Sequence, residues 1–213
     1  MPATVLLTLG RLPKGLDVAR ALHAAGCRVI VAEPFAWHIC RLSRAVARSY
    51  RVTAPNLDPA HYLDELAAIV ERERVDIVVP ISEEALHALA LRDRVPGHVR
   101  FYSPPAAMVH RLHDKLRFAE WVAGMGLDVP ATCDLDDPAA RDVAARAAYI
   151  VKPRHSCSGI GFSAHERGAP LPAAPKDAPA VVQAFVGGEH LSTFSVARAG
   201  RVLGTAIYRG TVF

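Results

Sequence analysis

The sequence predicts an α/β chain in which a parallel-sheet domain precedes a mixed α+β domain with antiparallel strands. Two patterns support this fold class. In the first half, short apolar runs alternate with amphipathic helical segments, as in a parallel sheet covered by helices on both faces. In the second half, strand-like segments follow one another without long helices between them. The change of pattern places the domain boundary near residue 108, after the loop Ser103-Pro104-Pro105.

The first domain begins with two β-α-β units. An apolar run over 4–9 is followed by a helical segment over 16–25 and a second run over 28–32. Asp58 and Pro59 are typical of a helix start, and the helix after them leads into the run 75–81. Right-handed crossovers would place these strands in one parallel sheet. Residues 1–108 are therefore predicted to form a Rossmann-like domain.

The second domain, residues 109–213, is predicted to open with a helix from His113 to Met125 that Gly126 stops. Strands then follow over 149–152, 180–185, 191–198 and 201–208, with Ala199-Gly200 as a tight turn between the last two. The Ala- and Pro-rich segment 167–179 is predicted to be a surface connection.

Composition excludes several classes of protein. The chain has 213 residues, of which 51% are hydrophobic and 22% are charged, and no apolar run approaches the roughly 20 residues that span a bilayer. Its four cysteines are widely separated, which favours neither a disulfide framework nor a zinc site. We therefore expect a cytoplasmic protein without a membrane partner.

A run of arginines is the main charged pattern. Arg41, Arg44, Arg48 and Arg51 are three or four residues apart, so they would line one face of a helix and its exit. Such a stripe could attract phosphates or could be a solvated helix face. The second interpretation is preferred, because the stripe lacks the interleaved aromatic residues on which bases would stack. Nucleic acid is therefore not an expected partner.

The stretch from Gly10 to Gly15 does not form a nucleotide loop of either common kind. It has the two glycines of a Walker loop, but Leu16 and Asp17 occupy the positions of the required Lys and Ser/Thr. The glycine fingerprint of dinucleotide-binding proteins is also absent, although Glu33 follows the second strand, where a ribose-binding acid could lie. A tight turn explains the glycines, and an NADH-dependent oxidoreductase is a disfavoured alternative.

Two lysines about forty residues apart are the strongest functional signal. Lys115 lies in the first turn of a predicted helix, and Lys152 ends a predicted apolar strand beside Pro153. Two ammonium groups from different elements can hold a triphosphate from opposite sides. A lysine such as Lys115 is often merely solvated, but an unpaired charge at Lys152 would be costly. Lys152 therefore needs an anion or a water-filled cleft.

Two further segments accompany the lysines. The loop over 156–161 offers backbone N–H groups and small side chains that could close over phosphates, or it is an ordinary hairpin turn. The segment over 183–189 has the shape of a hinge whose backbone could contact an adenine edge and whose Glu189 could bind ribose hydroxyls. Glu189 could also be only a turn acid. Arg154 and His155 are weaker candidates for phosphate or substrate contact.

The order of these parts resembles the ATP-grasp superfamily, in particular the carbamoyl phosphate synthase and biotin carboxylase group. The resemblance implies that residues 1–108 correspond to the domain preceding the ATP-grasp domain and that 109–213 correspond to an incomplete nucleotide-binding region. It implies ATP-dependent ligation of an unknown carboxylate through an acyl-phosphate, with Mg²⁺ as the metal. The implied ATP-binding residues are Lys115, Ile150, Lys152, Ser156, Ser158, Gly159, Gly161, Gln183, Ala184, Phe185 and Glu189.

The sequence departs from that family in two respects. The loop is poorer in glycine than usual, with Ser156, Cys157 and Ser158 at positions where glycines are common. No Glu-x-Asn pair occurs, so the metal ligands are expected beyond Phe213 and the chain is expected to be truncated and nearly inactive. The alternative is a non-catalytic nucleotide- or partner-binding remnant. An unfinished sheet edge would be compatible with a homodimer.

A short polar segment directly after the apolar run 75–81 has two possible interpretations. Ser82, Glu83 and Glu84 follow this run, at the carboxyl end of a predicted parallel strand where clefts form. They could contact substrate, or they could be a helix cap followed by first-turn acids.

Overall fold

The computed structural model describes residues 2–157, 159–174 and 178–209. The chain divides into two compact units, residues 1–113 and 114–213. Each unit has its own sheet and its own helices, and each is described separately.

The first unit contains a five-stranded parallel sheet in the order β3-β2-β1-β4-β5. Every residue of its central strand, β1, is buried, which explains why this strand is predominantly apolar. The order reverses between β1 and β4, so the loops that follow these two strands flank the switch point of the sheet. The strands are β1 (Thr4–Leu7), β2 (Arg28–Glu33), β3 (Arg48–Arg51), β4 (Ile77–Val79) and β5 (Arg100–Phe101).

Helices cover both faces of this sheet, as the alternating pattern predicts. Leu6 and Ile30 face Tyr62 and Leu66 in one core cluster, whereas Val5 and Leu7 belong to a second cluster that includes Ala19. Asp58 caps its helix by accepting a hydrogen bond from the His61 amide at 3.0 Å. The helices are α1 (Pro13–Ala24), α2 (Pro59–Glu73), α3 (Ala85–Ala88) and α4 (Ala106–His113).

The predicted helical stripe of arginines is wrong. Arg41 lies in a short 3₁₀ turn, Ile39–Leu42, and Arg48 and Arg51 lie in β3, which pairs in parallel with β2. The guanidinium of Arg48 contacts Glu73 at 3.2 Å, and Glu73 also accepts a hydrogen bond from the Tyr50 hydroxyl. Pairing with a neighbouring strand therefore overrides the helical spacing, and the four side chains do not form one face.

The second unit contains a four-stranded antiparallel sheet in the order β6-β9-β7-β8 and a separate two-stranded hairpin, β10-β11. The helix predicted after His113 is confirmed, whereas the short strand β6 and the helix α6 are not evident from the sequence pattern. The elements are α5 (Lys115–Ala123), β6 (Thr132–Asp134), α6 (Ala139–Arg146), β7 (Tyr149–Pro153), β8 (Ser163–His165), β9 (Ala180–Ala184), β10 (Leu191–Arg198) and β11 (Arg201–Arg209).

The two faces of the four-stranded sheet have different chemistry. Tyr149, Val151 and Val182 lie on one face and form a core cluster with Ala140 and Ala144 of α6. Because side chains alternate along a strand, Ile150, Lys152 and Gln183 lie on the opposite face. We call this opposite surface the lysine face.

The hairpin has the tight turn that the sequence predicts. Ala199 and Gly200 have φ angles of 49° and 76°. Two successive residues with positive φ are typical of a type I′ turn, whose twist matches that of the flanking strands. All strands expected in the second half are present. The α/β class with a parallel and an antiparallel region is confirmed. In the part of the chain that the structure describes, no helix is long and apolar enough to cross a membrane.

Candidate functional site

Lys152 is a half-buried cation on the lysine face. Its ammonium donates a hydrogen bond to Oε1 of Gln183 at 2.8 Å. Burial, and next the positive charge of Lys115, lower the pKa of Lys152 below its ordinary value. No carboxylate among the described residues forms an ion pair with Lys152. The amide oxygen of Gln183, a neutral group, is its only hydrogen-bond partner among those residues.

Lys115 approaches the same region from the start of α5. Asp114 caps this helix by accepting hydrogen bonds from the amides of Leu116 and Arg117 at 3.1 and 3.2 Å. The Lys115 ammonium donates to the carbonyl and hydroxyl oxygens of Ser156 at 2.5 and 3.2 Å. The first turn of α5 is thereby connected to the loop that follows β7.

Gln183 connects Lys152 to the neighbouring strand β6. Its Nε2 donates to Oγ1 of Thr132 at 2.7 Å, and the Thr132 hydroxyl donates to the carbonyl oxygen of Pro130 at 2.8 Å. Gln183 stands opposite both Thr132 and Ile150 in the sheet. A continuous hydrogen-bonded chain therefore crosses three strands on the lysine face.

An ion cluster holds the same segments together. The guanidinium of Arg154 contacts Asp114 at 2.7 Å and Asp134 at 3.1 Å, and the His155 ring lies 3.5 Å from Asp114. Burial would raise the pKa of Asp114, but hydrogen bonds from Arg154 and from the Arg117 amide, with the charge of Arg154, lower it to about 2. The sequence indicates Arg154 and His155 only as weak phosphate contacts and does not reveal the role of either aspartate. The only available signal is an acid directly before Lys115.

The loop between β7 and β8 contains two glycines with left-handed backbone. Gly159 and Gly161 have φ angles of 71° and 74°, and a Cβ atom at Gly161 would lie 3.0 Å from Cγ of Pro153. The amide of Ile160 donates to the carbonyl of Cys157 at 3.0 Å. Ser156 joins the lysine face through Lys115, whereas the predicted contact at Ser158 lies outside the described residues.

The first two residues of the hinge predicted over 183–189 belong to a strand. Gln183 and Ala184 belong to β9, and the amides of Ala184 and Phe185 donate to Ala131 and Ala148 at 2.9 and 2.8 Å. Glu189 lies between β9 and β10, is 55% exposed at its side chain and forms an ion pair with Arg209. The structure brings together Lys115, Lys152, Ser156, Ile150 and Gln183, whereas the contact that it gives to Glu189 is the ion pair with Arg209.

Glu33 has a different task from the one considered in the sequence. Its side chain is completely buried and accepts hydrogen bonds from the amides of Gly10 and Arg11 at 2.8 and 3.1 Å, and from the Arg11 guanidinium at 2.8 Å. The carboxylate therefore holds the turn after β1 and is not directed toward a ribose. The tight-turn interpretation of the Gly10 stretch agrees with this arrangement.

Glu84 stabilises the corresponding turn after β4. It accepts hydrogen bonds from the Thr8 hydroxyl at 2.9 Å and from the amides of Ile81 and Ser82 at 2.6 and 3.1 Å. The interpretation as a helix cap and first-turn acids does not describe Glu84, because this residue directly precedes α3 but makes no side-chain cap bond to it and binds the amides of Ile81 and Ser82 instead. The Ser82 hydroxyl accepts a hydrogen bond from the Lys14 ammonium at 3.1 Å, and the His113 ring lies 3.6 Å from the Glu83 carboxylate.

The described residues do not provide a metal centre. No group of three or more His, Cys, Asp or Glu side chains in the ranges 2–157, 159–174 and 178–209 lies close enough together to hold an ion. A magnesium ion needs several oxygen ligands, so we assign no magnesium ligand to these residues.

Comparison with known proteins gives a family match for the second half of the chain and a fold match for most of it. The family model of the ATP-grasp domain matches residues 112–211. No curated protein sequence gives a significant match. The chain has the fold of an N5-carboxyaminoimidazole synthetase from Staphylococcus aureus solved with ADP, with 16% identity, a TM-score of 0.65, and coverage of 97% of this chain and 53% of that one.

Two other solved structures show the same fold. An L-amino acid ligase from Bacillus licheniformis is 14% identical with a TM-score of 0.69, covering 99% of this chain and 53% of the other. Glycinamide-RNase-transformylase T from Mycobacterium tuberculosis is 22% identical with a TM-score of 0.63, and the match covers 89% of this chain and 50% of that one. The chain thus spans about half the length of these proteins. The chain carries an ATP-grasp domain over residues 112–211.

Proposed function

We propose that this chain binds ATP on the lysine face and that its parent activity is ATP-dependent ligation of a carboxylate. Lys115 and Lys152 would hold the phosphates, and the loop of Ser156, Gly159 and Gly161 would cover them. Ile150, the backbone carbonyl groups of Ala184 and Phe185, and Glu189 would hold the nucleoside, since the amides of Ala184 and Phe185 already donate to Ala131 and Ala148. In this proposal residues 1–108 form the preceding domain and residues 109–213 form the nucleotide-binding region.

The half-buried ammonium of Lys152 is the observation that carries the proposal. Removing an ammonium from water is costly unless an anion or several good hydrogen bonds offset the loss. Lys152 has one neutral partner among the described residues and lies close enough to Lys115 for that charge to lower its pKa. Two neighbouring cations, one from a helix and one from the sheet, favour a polyanion, and ATP is the polyanion that ATP-grasp domains bind.

The proposed reaction has two steps. A carboxylate oxygen of the substrate attacks the γ-phosphorus of ATP, the bond from that phosphorus to the β,γ-bridging oxygen breaks, and ADP leaves with the electron pair. An amine or another nucleophile then displaces phosphate from the acyl-phosphate. The lysine ammonium groups would stabilise the negative charge that develops on the transferred phosphoryl oxygens. No step is assigned to a magnesium ion.

The first test is calorimetric titration of ATP with magnesium into the wild-type chain and the Lys152→Ala variant. A hydrogen bond to a charged group is worth about 1.5–3 kcal/mol, so we expect Lys152→Ala to weaken binding by about 10- to 100-fold. Lys14→Ala is the matched control, because Lys14 lies in the first unit, where its ammonium bonds the Ser82 hydroxyl at 3.1 Å. Equal binding by wild type and Lys152→Ala would contradict the proposal.

Glu189→Ala separates the nucleoside from the phosphates. If Glu189 binds the ribose, its removal should weaken binding of ATP and leave binding of inorganic triphosphate unchanged. Lys152→Ala should weaken both ligands.

The second candidate is a non-catalytic nucleotide- or partner-binding protein. Trapping with hydroxylamine distinguishes it, because an acyl-phosphate formed from ATP and a carboxylate would give a hydroxamate. Saturable ATP binding without hydroxamate from a broad panel of carboxylates would favour this second candidate.

A further inference from the structure

We infer that Gln183 is a positioning residue that aims Lys152 at the phosphates while leaving its charge available to them. The inference rests on the proposed function of the two lysines, and it gives Gln183 a task that acts through Lys152 and not through contact with the nucleoside.

The direction of each hydrogen bond in the chain is determined by chemistry. The Thr132 hydroxyl has one hydrogen, which it donates to the Pro130 carbonyl at 2.8 Å. Its oxygen can therefore only accept from the Gln183 amide group, at 2.7 Å. The Gln183 oxygen then faces the Lys152 ammonium at 2.8 Å. Rotating the amide by 180° would put its NH₂ group against the Lys152 ammonium, which is also a donor, and its oxygen against the Thr132 oxygen, which is also an acceptor. Lys152 and Thr132 together therefore select one orientation of Gln183.

The sheet register supports the same arrangement. β9 lies between β6 and β7, and Gln183 pairs with Thr132 on one side and with Ile150 on the other. Both ends of the glutamine side chain are thus bound to residues on fixed strands. Gln183 is also the only glutamine in the sequence.

A neutral acceptor has a consequence that a carboxylate would not have. Asp or Glu at this position would hold the ammonium but would also neutralise it and repel an incoming polyphosphate. The amide oxygen orients the ammonium and leaves the net charge in place. Asp114 and Asp134, the nearby acids, are bound to Arg154 instead. Lys115 adds a second positive charge that acts on Lys152.

NMR titration of lysines after ¹³C reductive methylation tests the inference. The sequence has four lysines, so the Lys152 signal can be assigned by its loss in a Lys152→Ala sample. Gln183→Met keeps the side-chain length and removes the acceptor, and we expect a lower pKa of Lys152 and about tenfold weaker binding of inorganic triphosphate. Thr132→Val removes only the partner that orients the amide and should act in the same direction with a smaller effect.

Gln183→Glu is the diagnostic variant. It should raise the pKa of Lys152 and nevertheless weaken triphosphate binding, because the new carboxylate competes with the phosphates. Loss of packing alone would not move the pKa and the affinity in opposite directions. Thr205→Val is the control for the threonine change, since Thr205 bonds Ser195 at 2.9 Å in the β10-β11 hairpin.

An unchanged pKa of Lys152 in both Gln183→Met and Thr132→Val would overturn the inference, even if ATP binding by the wild type is strong. Triphosphate binding by Gln183→Glu that equals or exceeds that of the wild type would overturn it as well. If the wild type binds neither ATP nor triphosphate, the proposed function fails, and the pKa of Lys152 in the variants still decides the task of Gln183.

Discussion

At the scale of single residues, two partly buried cations of the second unit, Arg154 and Lys152, have different kinds of partner. Arg154, whose side chain is 18% exposed, is neutralised by Asp114 and Asp134. Lys152 receives only an amide oxygen from the described residues. The first arrangement is that of a structural ion cluster, and the second is the observation from which we propose that Lys152 binds phosphate.

Asp114 should make the stability of the second unit dependent on pH. Because its pKa falls to about 2 in the folded protein, the stabilisation is complete above the ordinary value of 3.8 and is lost as the pH falls toward 2. The difference between these values corresponds to about 2 kcal/mol. We expect Asp114→Asn to lower the free energy of unfolding at neutral pH by about this amount and to flatten its dependence on pH between 4 and 2.

Urea unfolding at a series of pH values measures this effect. Asp128→Asn is the control, because Asp128 is exposed and belongs to no ion pair among the described residues. A slope between pH 4 and 2 that is the same in Asp114→Asn and in the wild type would show that Asp114 does not carry the pH dependence.

At the scale of elements, the connection between β7 and β8 depends on one close approach. Gly161 has a φ of 74°, and a Cβ atom there would lie 3.0 Å from Cγ of Pro153, so the ring would have to shift by a few tenths of an ångström. The backbone at this point therefore favours glycine for two reasons, one conformational and one steric.

A pair of alanine substitutions separates the two reasons. Gly168 has a similar φ of 78°, but no atom lies within 4 Å of the position that a Cβ would occupy there. Both Gly161→Ala and Gly168→Ala should destabilise the chain by about 1–2 kcal/mol through left-handed backbone. Only Gly161→Ala should also weaken ATP binding, because the contact with Pro153 would displace the loop beside Lys152. Equal ATP affinity in both variants, measured by calorimetry, would contradict a role of this loop in covering the phosphates.

At the scale of the whole molecule, each unit has its own core. The two clusters that sandwich the parallel sheet lie entirely within residues 1–113. The cluster under the antiparallel sheet lies entirely within the second unit. A core of this kind is what an independently folding domain requires.

We therefore expect a fragment of residues 1–113 to fold alone and to unfold cooperatively on heating, as followed by circular dichroism. A fragment ending at residue 108 should melt at a lower temperature, because it lacks most of α4 and the contact of His113 with Glu83 at 3.6 Å. Equal melting temperatures would support the boundary at 108, whereas gradual unfolding of the 1–113 fragment would refute an independent first domain.

The sequence by itself determined the elements whose signals are local. Apolar runs indicated β1, β2 and β4, the Asp58-Pro59 pair indicated the start of α2, and Ala199-Gly200 indicated the hairpin turn. Lys152 was also conspicuous, because a lysine in an apolar strand is unusual wherever it occurs. These signals depend on neighbouring residues along the chain, so a sequence pattern is sufficient to show them.

Only the tertiary structure decided which side chains act together. Lys152 and Gln183 are 31 residues apart, Arg154 and Asp114 are 40 apart, and Glu33 reaches Gly10 across 23 residues. Pairing with β2 likewise made Arg48 part of a strand, although its spacing from Arg44 suits a helix. Each outcome depends on a contact between segments that only folding brings together, and no periodicity along the chain encodes such a contact.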